Sequence, residues 1–108
     1  MTRFAPGQVV TVFRSRLRAD AAPGYHDTAD EMLALAQEVP GFVDYKAFHA
    51  DDGERVSLVT FADHESQRVW REHLAHREAQ RKGRSDWYAS YSLQVGECTT
   101  AHEFEVGS

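Results

Sequence analysis

Residues 39 to 61 read VPGFVDYKAFHADDGERVSLVTF, and this stretch decides the fold. Val39-Pro40-Gly41 predicts the end of a helix, because proline cannot continue a helix and glycine relaxes the turn. Phe42–Ala50 and Arg55–Phe61 each predict a strand. The residues between them, Asp51-Asp52-Gly53-Glu54, predict a hairpin turn with positive φ at Gly53. The stretch therefore predicts a helix followed by two antiparallel strands.

The flanking segments complete the pattern. Val9–Leu17 is rich in β-branched and apolar residues and predicts a first strand. Apolar residues then recur at helical spacing from Tyr25 to Ala36, and Asp63 can cap a second helix. Tyr91–Cys98 predicts a fourth strand. The order βαββαβ predicts a ferredoxin-like α+β fold, with a four-stranded antiparallel sheet and two helices on one face. We expect a lead-in at residues 1–8, one domain at 9–99 and a polar tail at 100–108.

Composition excludes several classes of protein. The chain has 108 residues, enough for one domain, and a formal net charge of −5, which disfavours nucleic acid as a partner. No apolar run is long enough to span a bilayer, so no membrane association is expected. Cys98 is the single cysteine, which excludes an intrachain disulfide and a cysteine-based zinc cluster. These features together predict a cytoplasmic protein.

The first strand carries apolar residues on both faces. Two helices cover one face of a four-stranded sheet, and the other face stays bare. The bare face would hold either Val10 and Val12 or the set Val9, Phe13 and Leu17. An exposed apolar face of this kind usually marks an interface, so we expect a homodimer with a two-fold axis.

Metal and nucleotide chemistry has little support in the sequence. The seven glycines form no phosphate-binding loop. His73 and His76 lie three residues apart on the second predicted helix and share a face, but a metal site needs a further ligand. Cys98 is interpreted as a small buried residue rather than a nucleophile. We therefore predict no metal.

Aromatic residues point to a small-molecule site. Two Trp, four Tyr and six Phe make up 11% of the chain, and Trp70 lies on the inward stripe of the second helix. An apolar cavity between helices and sheet, lined by such rings, would suit a flat aromatic ligand. The alternative interpretation is that the rings only fill the core.

Several stretches resemble the antibiotic biosynthesis monooxygenase family. They are RVSLVTF at 55–61, WREHLAHREAQ at 70–80, VPGF at 39–42, the turn DDGE at 51–54 and the closing Trp87-Tyr88 with Tyr91. The resemblance covers residues 9 to 99 and implies a dimeric α+β barrel. Some members of this family oxidise phenols to quinones with O₂ and without a cofactor.

The resemblance carries over only part of the family's catalytic residues. The quinone-forming type uses an Asn, a Trp and a Tyr, and the matching positions here are Thr60, His64 and Trp70, so none is retained. Relatives that degrade haem use an Asn, a Trp and an axial His, which match Phe13, Trp70 and Gln80. Only Trp70 is kept, and glutamine cannot replace the imidazole ligand. The resemblance therefore implies a cofactor-free enzyme and disfavours haem.

The resulting hypothesis is a cofactor-independent monooxygenase acting on an aromatic or quinol-type molecule. Trp70 would stack on the substrate ring, and His73 or His76 would accept a proton. Arg14 or Tyr91 would stabilise the negative charge that develops. The predicted substrate-binding residues are Trp70, Phe13, Phe61, Tyr91, His64 and Thr60. A haem-binding or haem-degrading protein and a non-catalytic ligand-binding dimer are the alternatives.

Overall fold

A computed structural model describes residues 3–17, 25–81 and 88–107 of the chain. The elements are β1 (Val9–Leu17), α1 (Tyr25–Glu38), β2 (Phe42–His49), β3 (Arg55–Phe61), α2 (His64–Arg81) and β4 (Tyr88–Glu97). The βαββαβ order predicted from the sequence is confirmed. Among the described residues no helix has the length and apolar character needed to cross a membrane.

The four strands form one antiparallel sheet in the order β2-β3-β1-β4. This is the ferredoxin-like arrangement, so the predicted fold class is confirmed. β4 begins at Tyr88, three residues before the predicted start at Tyr91. The reason is an irregularity between Arg16 and Leu17, which lets the pairing continue to Leu17 opposite Tyr88.

The turn between α1 and β2 packs directly against α2. Gly41 has a φ of 99°, in the left-handed region that favours glycine. A Cβ atom at Gly41 would also overlap Ser66, whose hydroxyl donates a hydrogen bond to the Pro40 carbonyl at 2.8 Å. The predicted positive φ at Gly53 is confirmed as well, at 90°. Both turns depend on glycine, and the first also sets the position of α2.

The sheet has one covered face and one open face. Paired residues of antiparallel strands share a face, so Val9 and Thr11 of β1 lie beside Phe61 and Val59 of β3. All four side chains are buried under the helices. α1 lies over β2, and α2 lies over β3 and β1. The core is therefore concentrated between the helices and the middle of the sheet. Its side opposite the sheet consists of Ala36 of α1, Val39 directly after α1, and Trp70 of α2.

The open face carries the alternate residues of each strand. Val10 and Val12 of β1 lie opposite Thr60 and Leu58 of β3. Of the two sets that the sequence left open, the bare face is therefore the one with Val10 and Val12. The guanidinium of Arg3 donates a hydrogen bond to the carboxylate of Asp44 in β2 at 3.1 Å. Asp44 pairs with Thr60, which is buried, so this contact lies at the Thr60 end of the open face.

The segment after β4 has no helix or strand in residues 98–107. Phe104 and Val106 are more than 80% exposed there. The domain boundaries expected at residues 8 and 99 stay a prediction.

Candidate functional site

An exposed apolar surface lies on β4, on the face of the sheet that carries the helices. Tyr91, Leu93 and Val95 pair with Ser15, Phe13 and Thr11 of β1, whose side chains point toward the helices. Because α2 lies over β1 and β3, these three side chains of β4 stay 43%, 47% and 41% exposed. We call Tyr91, Leu93 and Val95 the β4 patch. Three apolar side chains side by side at this exposure make the β4 patch a candidate binding surface.

An aromatic contact joins the β4 patch to β1. The ring of Phe13 lies 5.6 Å from the ring of Tyr91, with 41° between their planes. Phe13 is half-buried and Tyr91 is exposed, so the pair presents an aromatic edge toward solvent. Two of the predicted substrate-binding residues, distant in the chain, are thus brought together. A flat aromatic molecule would find both ring contacts and aliphatic contacts there.

Trp70 and Phe61 form a second aromatic contact, in the core. Their ring centroids are 5.5 Å apart, and Trp70 is only 2% exposed. The indole N–H donates to the carbonyl of Met32 in α1 at 3.2 Å, so the one polar group of this side chain is satisfied. In the single chain the two rings hold α2 and α1 on the sheet. The assignment of Trp70 and Phe61 to substrate binding stays a prediction.

The first turn of α2 is set by side-chain hydrogen bonds. The Asp63 carboxylate accepts a hydrogen bond from the Ser66 N–H at 2.8 Å, and this bond lowers the pKa of Asp63 below its ordinary value. Gln67 is buried, and its amide donates to the Thr11 hydroxyl of β1 at 3.1 Å. These contacts position α2 beside the β4 patch, and with it the side chain of His64.

His64 and Glu97 join the two sides of this surface. Nε2 of His64, the first residue of α2, lies 2.8 Å from Oε1 of Glu97, the last residue of β4. Glu97 pairs with Val9, so it points to the same side of the sheet as the β4 patch. An imidazole and a carboxylate therefore stand together at one end of an apolar surface. This is a combination that general acid–base chemistry uses.

Thr60 and Arg14 lie on the other face of the sheet. Thr60 pairs with Val10, and Arg14 pairs with Val56, both on the open face. Arg14 donates two hydrogen bonds to Glu54, at 2.7 and 3.2 Å, and this contact raises the pKa of Arg14 above its ordinary value. The structure does not bring these two residues together with the β4 patch within one chain.

His73 lies on the side of α2 that is turned away from β4. It follows Ser66 by seven residues, which is two helical turns, and Ser66 contacts the connection between α1 and β2. The side chain of His73 is exposed. The side chain of His76 lies outside the described residues. Whether either histidine acts as the proton acceptor stays a prediction.

A cavity of about 450 Å³ lies at the hairpin end of the sheet. Its lining includes basic side chains together with Asp52, whose carboxylate binds Arg16 at 2.7 Å. The pKa of Asp52 is lowered by the Glu54 N–H and then by Arg16. Ala89, which lines this cavity, is two residues from Tyr91, so the cavity adjoins one end of the β4 patch. The lining residues are Arg16, Leu17, His49, Asp52, Gly53, Arg55 and Ala89.

Within residues 3–17, 25–81 and 88–107, no three His, Cys, Asp or Glu side chains are grouped closely enough to hold a metal ion. Leu93, Val95 and Glu97 were not among the site residues predicted from the sequence. Their signal was present, because YSLQVGE at 91–97 alternates these residues with Ser92, Gln94 and Gly96. The contact of Glu97 with His64, 33 residues away, had no local signal.

Comparison with known proteins agrees with the fold and the resemblance. The uncharacterised protein YqjZ of Bacillus subtilis is 31% identical over 94 residues, which are 87% of this chain and 82% of YqjZ. SnoaB of Streptomyces nogalater, described as a cofactor-independent oxygenase, superposes with a TM-score of 0.63 at 17% identity. That match covers 94% of this chain and 99% of SnoaB.

Rv0793 of Mycobacterium tuberculosis superposes with a TM-score of 0.67 at 16% identity, and the match covers 94% of this chain and 99% of Rv0793. At these identities the solved structures establish a shared fold. The family is established by sequence, because the sequence model of the family described as antibiotic biosynthesis monooxygenase matches residues 8–82. With its βαββαβ fold and this match over most of its length, the chain belongs to the antibiotic biosynthesis monooxygenase family.

Proposed function

We propose that this protein is a cofactor-independent monooxygenase that oxidises a phenol or quinol-type aromatic molecule with O₂. The observation that carries the proposal is the β4 patch, together with the contact between its Tyr91 ring and the ring of Phe13. Membership in the family supports the reaction class, and the likeness to SnoaB supports a reaction without a cofactor.

The chemistry follows from the substrate. A phenol that loses its proton becomes electron-rich enough to react with O₂. One oxygen atom enters the ring, the product quinone carries two hydrogens fewer, and the other oxygen atom leaves as water. The substrate supplies all four electrons that O₂ takes up, two for the oxygen atom that enters the ring and two for the one that leaves as water, so the balance needs no further reductant. The protein has to bind the ring, exclude water and accept a proton.

The described residues divide these tasks. Leu93 and Val95 contact the ring system, and the Phe13–Tyr91 pair packs against its edge. The Tyr91 hydroxyl serves as the polar group that stabilises the phenolate, because Arg14 lies on the other face of the sheet. Trp70 of α2 and Phe61 of β3 contact each other in the core and keep α2 in place on the sheet.

A second copy of the chain completes the assembly in this proposal. The open face carries Val10, Val12 and Leu58 in its centre, and two such faces would bury each other around a two-fold axis. This arrangement is the dimeric barrel that the family resemblance implies. The cytoplasmic location expected from the sequence stays a prediction.

Oxygen uptake with 1,4-dihydroxynaphthalene tests the activity. We expect catalysed uptake by the purified protein, above the rate without protein, with no added flavin, haem or metal and unaffected by a chelator. Tyr91→Ala should lower kcat/KM by about 10-fold or more, since it removes ring contact and hydroxyl together. Equal rates with and without protein, across several phenols, would contradict the proposal.

Two further measurements would identify the alternatives. A Soret band on titration with hemin, followed by its loss with a reductant, would indicate a haem-degrading relative. Tight binding of an aromatic molecule without any oxygen uptake would indicate a ligand-binding dimer.

A further inference from the structure

His64 and Glu97 stand out among the described ion pairs because they connect α2 to β4. The Arg68 pairs with Glu65 and Glu72 stay within one helix, and such exposed pairs contribute little to stability. His64–Glu97 instead holds an imidazole at the end of the β4 patch. Glu97 follows Val95 by two residues on the same face, a distance of about 7 Å along the strand.

The contact determines which nitrogen of His64 can accept a proton. A carboxylate only accepts hydrogen bonds, so Nε2 of His64, at 2.8 Å from Glu97, carries the N–H in the neutral ring. The lone pair is then on Nδ1. When Nδ1 takes a proton, the positive imidazolium keeps its contact with the negative Glu97. His64 is 66% exposed, so the proton can pass on to water after each turnover.

We propose that His64, oriented by Glu97, is the general base that removes the phenolic proton of a flat aromatic molecule bound on the β4 patch. The step moves one proton from the phenol oxygen to Nδ1 of His64 and leaves a phenolate and an imidazolium. No electron is transferred in this step. The inference rests on the proposed function for the identity of the ligand as a phenol.

The charged groups near His64 come from α2 and β4. Asp63 and Glu65 are its neighbours in the chain, Arg68 lies one helical turn further on, and Glu97 faces it from β4. Arg68 is neutralised by its two glutamate partners within α2.

Binding of 4-nitrophenol tests the proposal without any oxidation, because the phenol and phenolate forms absorb at different wavelengths. We expect wild-type protein to ionise the bound probe at a lower pH than the free probe. His64→Gln and Glu97→Gln should move this midpoint back toward the free value by half a pH unit or more. His102→Gln, a change to an exposed histidine of the C-terminal segment, should leave it as in wild type.

Oxygen uptake with 1,4-dihydroxynaphthalene provides the second measurement. Loss of a general base typically costs about 100-fold or more in kcat, so we expect that loss for His64→Gln and a smaller one for Glu97→Gln. Both variants should keep their circular dichroism spectra, since both side chains are exposed.

The outcomes separate the two proposals. If wild type ionises the bound probe through His64 but consumes no oxygen, the base assignment stands and the oxygenase proposal fails. If wild type consumes oxygen and His64→Gln keeps its rate and pH profile, the base assignment is overturned. It is also overturned if His73→Gln, rather than His64→Gln, loses the oxygen uptake, or if 4-nitrophenol does not bind to wild type.

Discussion

Trp70 shows how one side chain can be both a core residue and a site candidate. Its ring packs on Phe61, and its N–H donates to the Met32 carbonyl. Trp70→Phe removes that hydrogen bond and part of the ring volume, so we expect a loss of about 2 kcal/mol of unfolding free energy. Chemical denaturation measures this loss. An unchanged midpoint would contradict it, and weaker binding of a flat aromatic ligand would show that the ring also lines the site.

The hydrogen bond of Asp63 predicts that the N-terminal end of α2 is less stable in acid. The pKa of Asp63 lies below the ordinary value of 3.8, mainly because the Ser66 N–H donates to the ionised carboxylate. This hydrogen bond stabilises the folded protein fully when the pH is above the ordinary pKa of aspartate. The stabilisation is lost as the pH falls through the lower pKa that Asp63 has in the folded state. Asp63→Ala should therefore lower the Tm at pH 7, and the difference from wild type should shrink below about pH 4.

Asn caps helices nearly as well as Asp, so Asp63→Asn is the matched control. It should keep most of the Tm at pH 7 but show no such shrinkage in acid. A Tm difference between wild type and Asp63→Ala that stays constant down to pH 2 would contradict the assignment of Asp63 as the cap.

At the scale of elements, α2 docks on β1 through one buried polar pair. The Gln67 amide donates to the Thr11 hydroxyl, and both side chains are buried. Thr11→Val leaves the amide unpaired and should cost about 1–3 kcal/mol, and Gln67→Leu should cost a similar amount by leaving the hydroxyl unpaired. The double variant has neither polar group, so its loss of unfolding free energy should be smaller than the sum of the losses in the two single variants. Strictly additive losses in urea denaturation would show that the pair is not coupled.

At the scale of the whole molecule, the open sheet face predicts a dimer. Val12 and Leu58 lie side by side in its centre. Light scattering of wild type should give about twice the chain mass of 12.2 kDa. Leu58→Glu places a charge in the centre of the face and should reduce the mass to that of one chain. Arg71→Glu, at an exposed position of α2, introduces the same side chain elsewhere and should leave the dimer intact. A single-chain mass for wild type at micromolar concentration would remove the basis for the barrel.

The sequence by itself determined the order of elements, the bounds of β1 and β3, and both glycine turns. These depend on local patterns: the β-branched and apolar composition of Val9–Leu17, the Pro40-Gly41 helix stop and the turn before Glu54. The family resemblance followed from the same local stretches. Composition and spacing were enough to predict the fold because a helix or a strand can be recognised from the pattern of about ten consecutive residues.

Only the tertiary structure decided what lies together around the site. The register of β1 against β3 and β4 placed Thr60 and Arg14 on one face, and Phe13 and Tyr91 on the other. A strand exposes two faces, and only its partners determine which one the helices cover. The position of α2 over β1 left the β4 patch exposed and brought His64 to Glu97. Such contacts join residues far apart in the chain, and no local pattern encodes them.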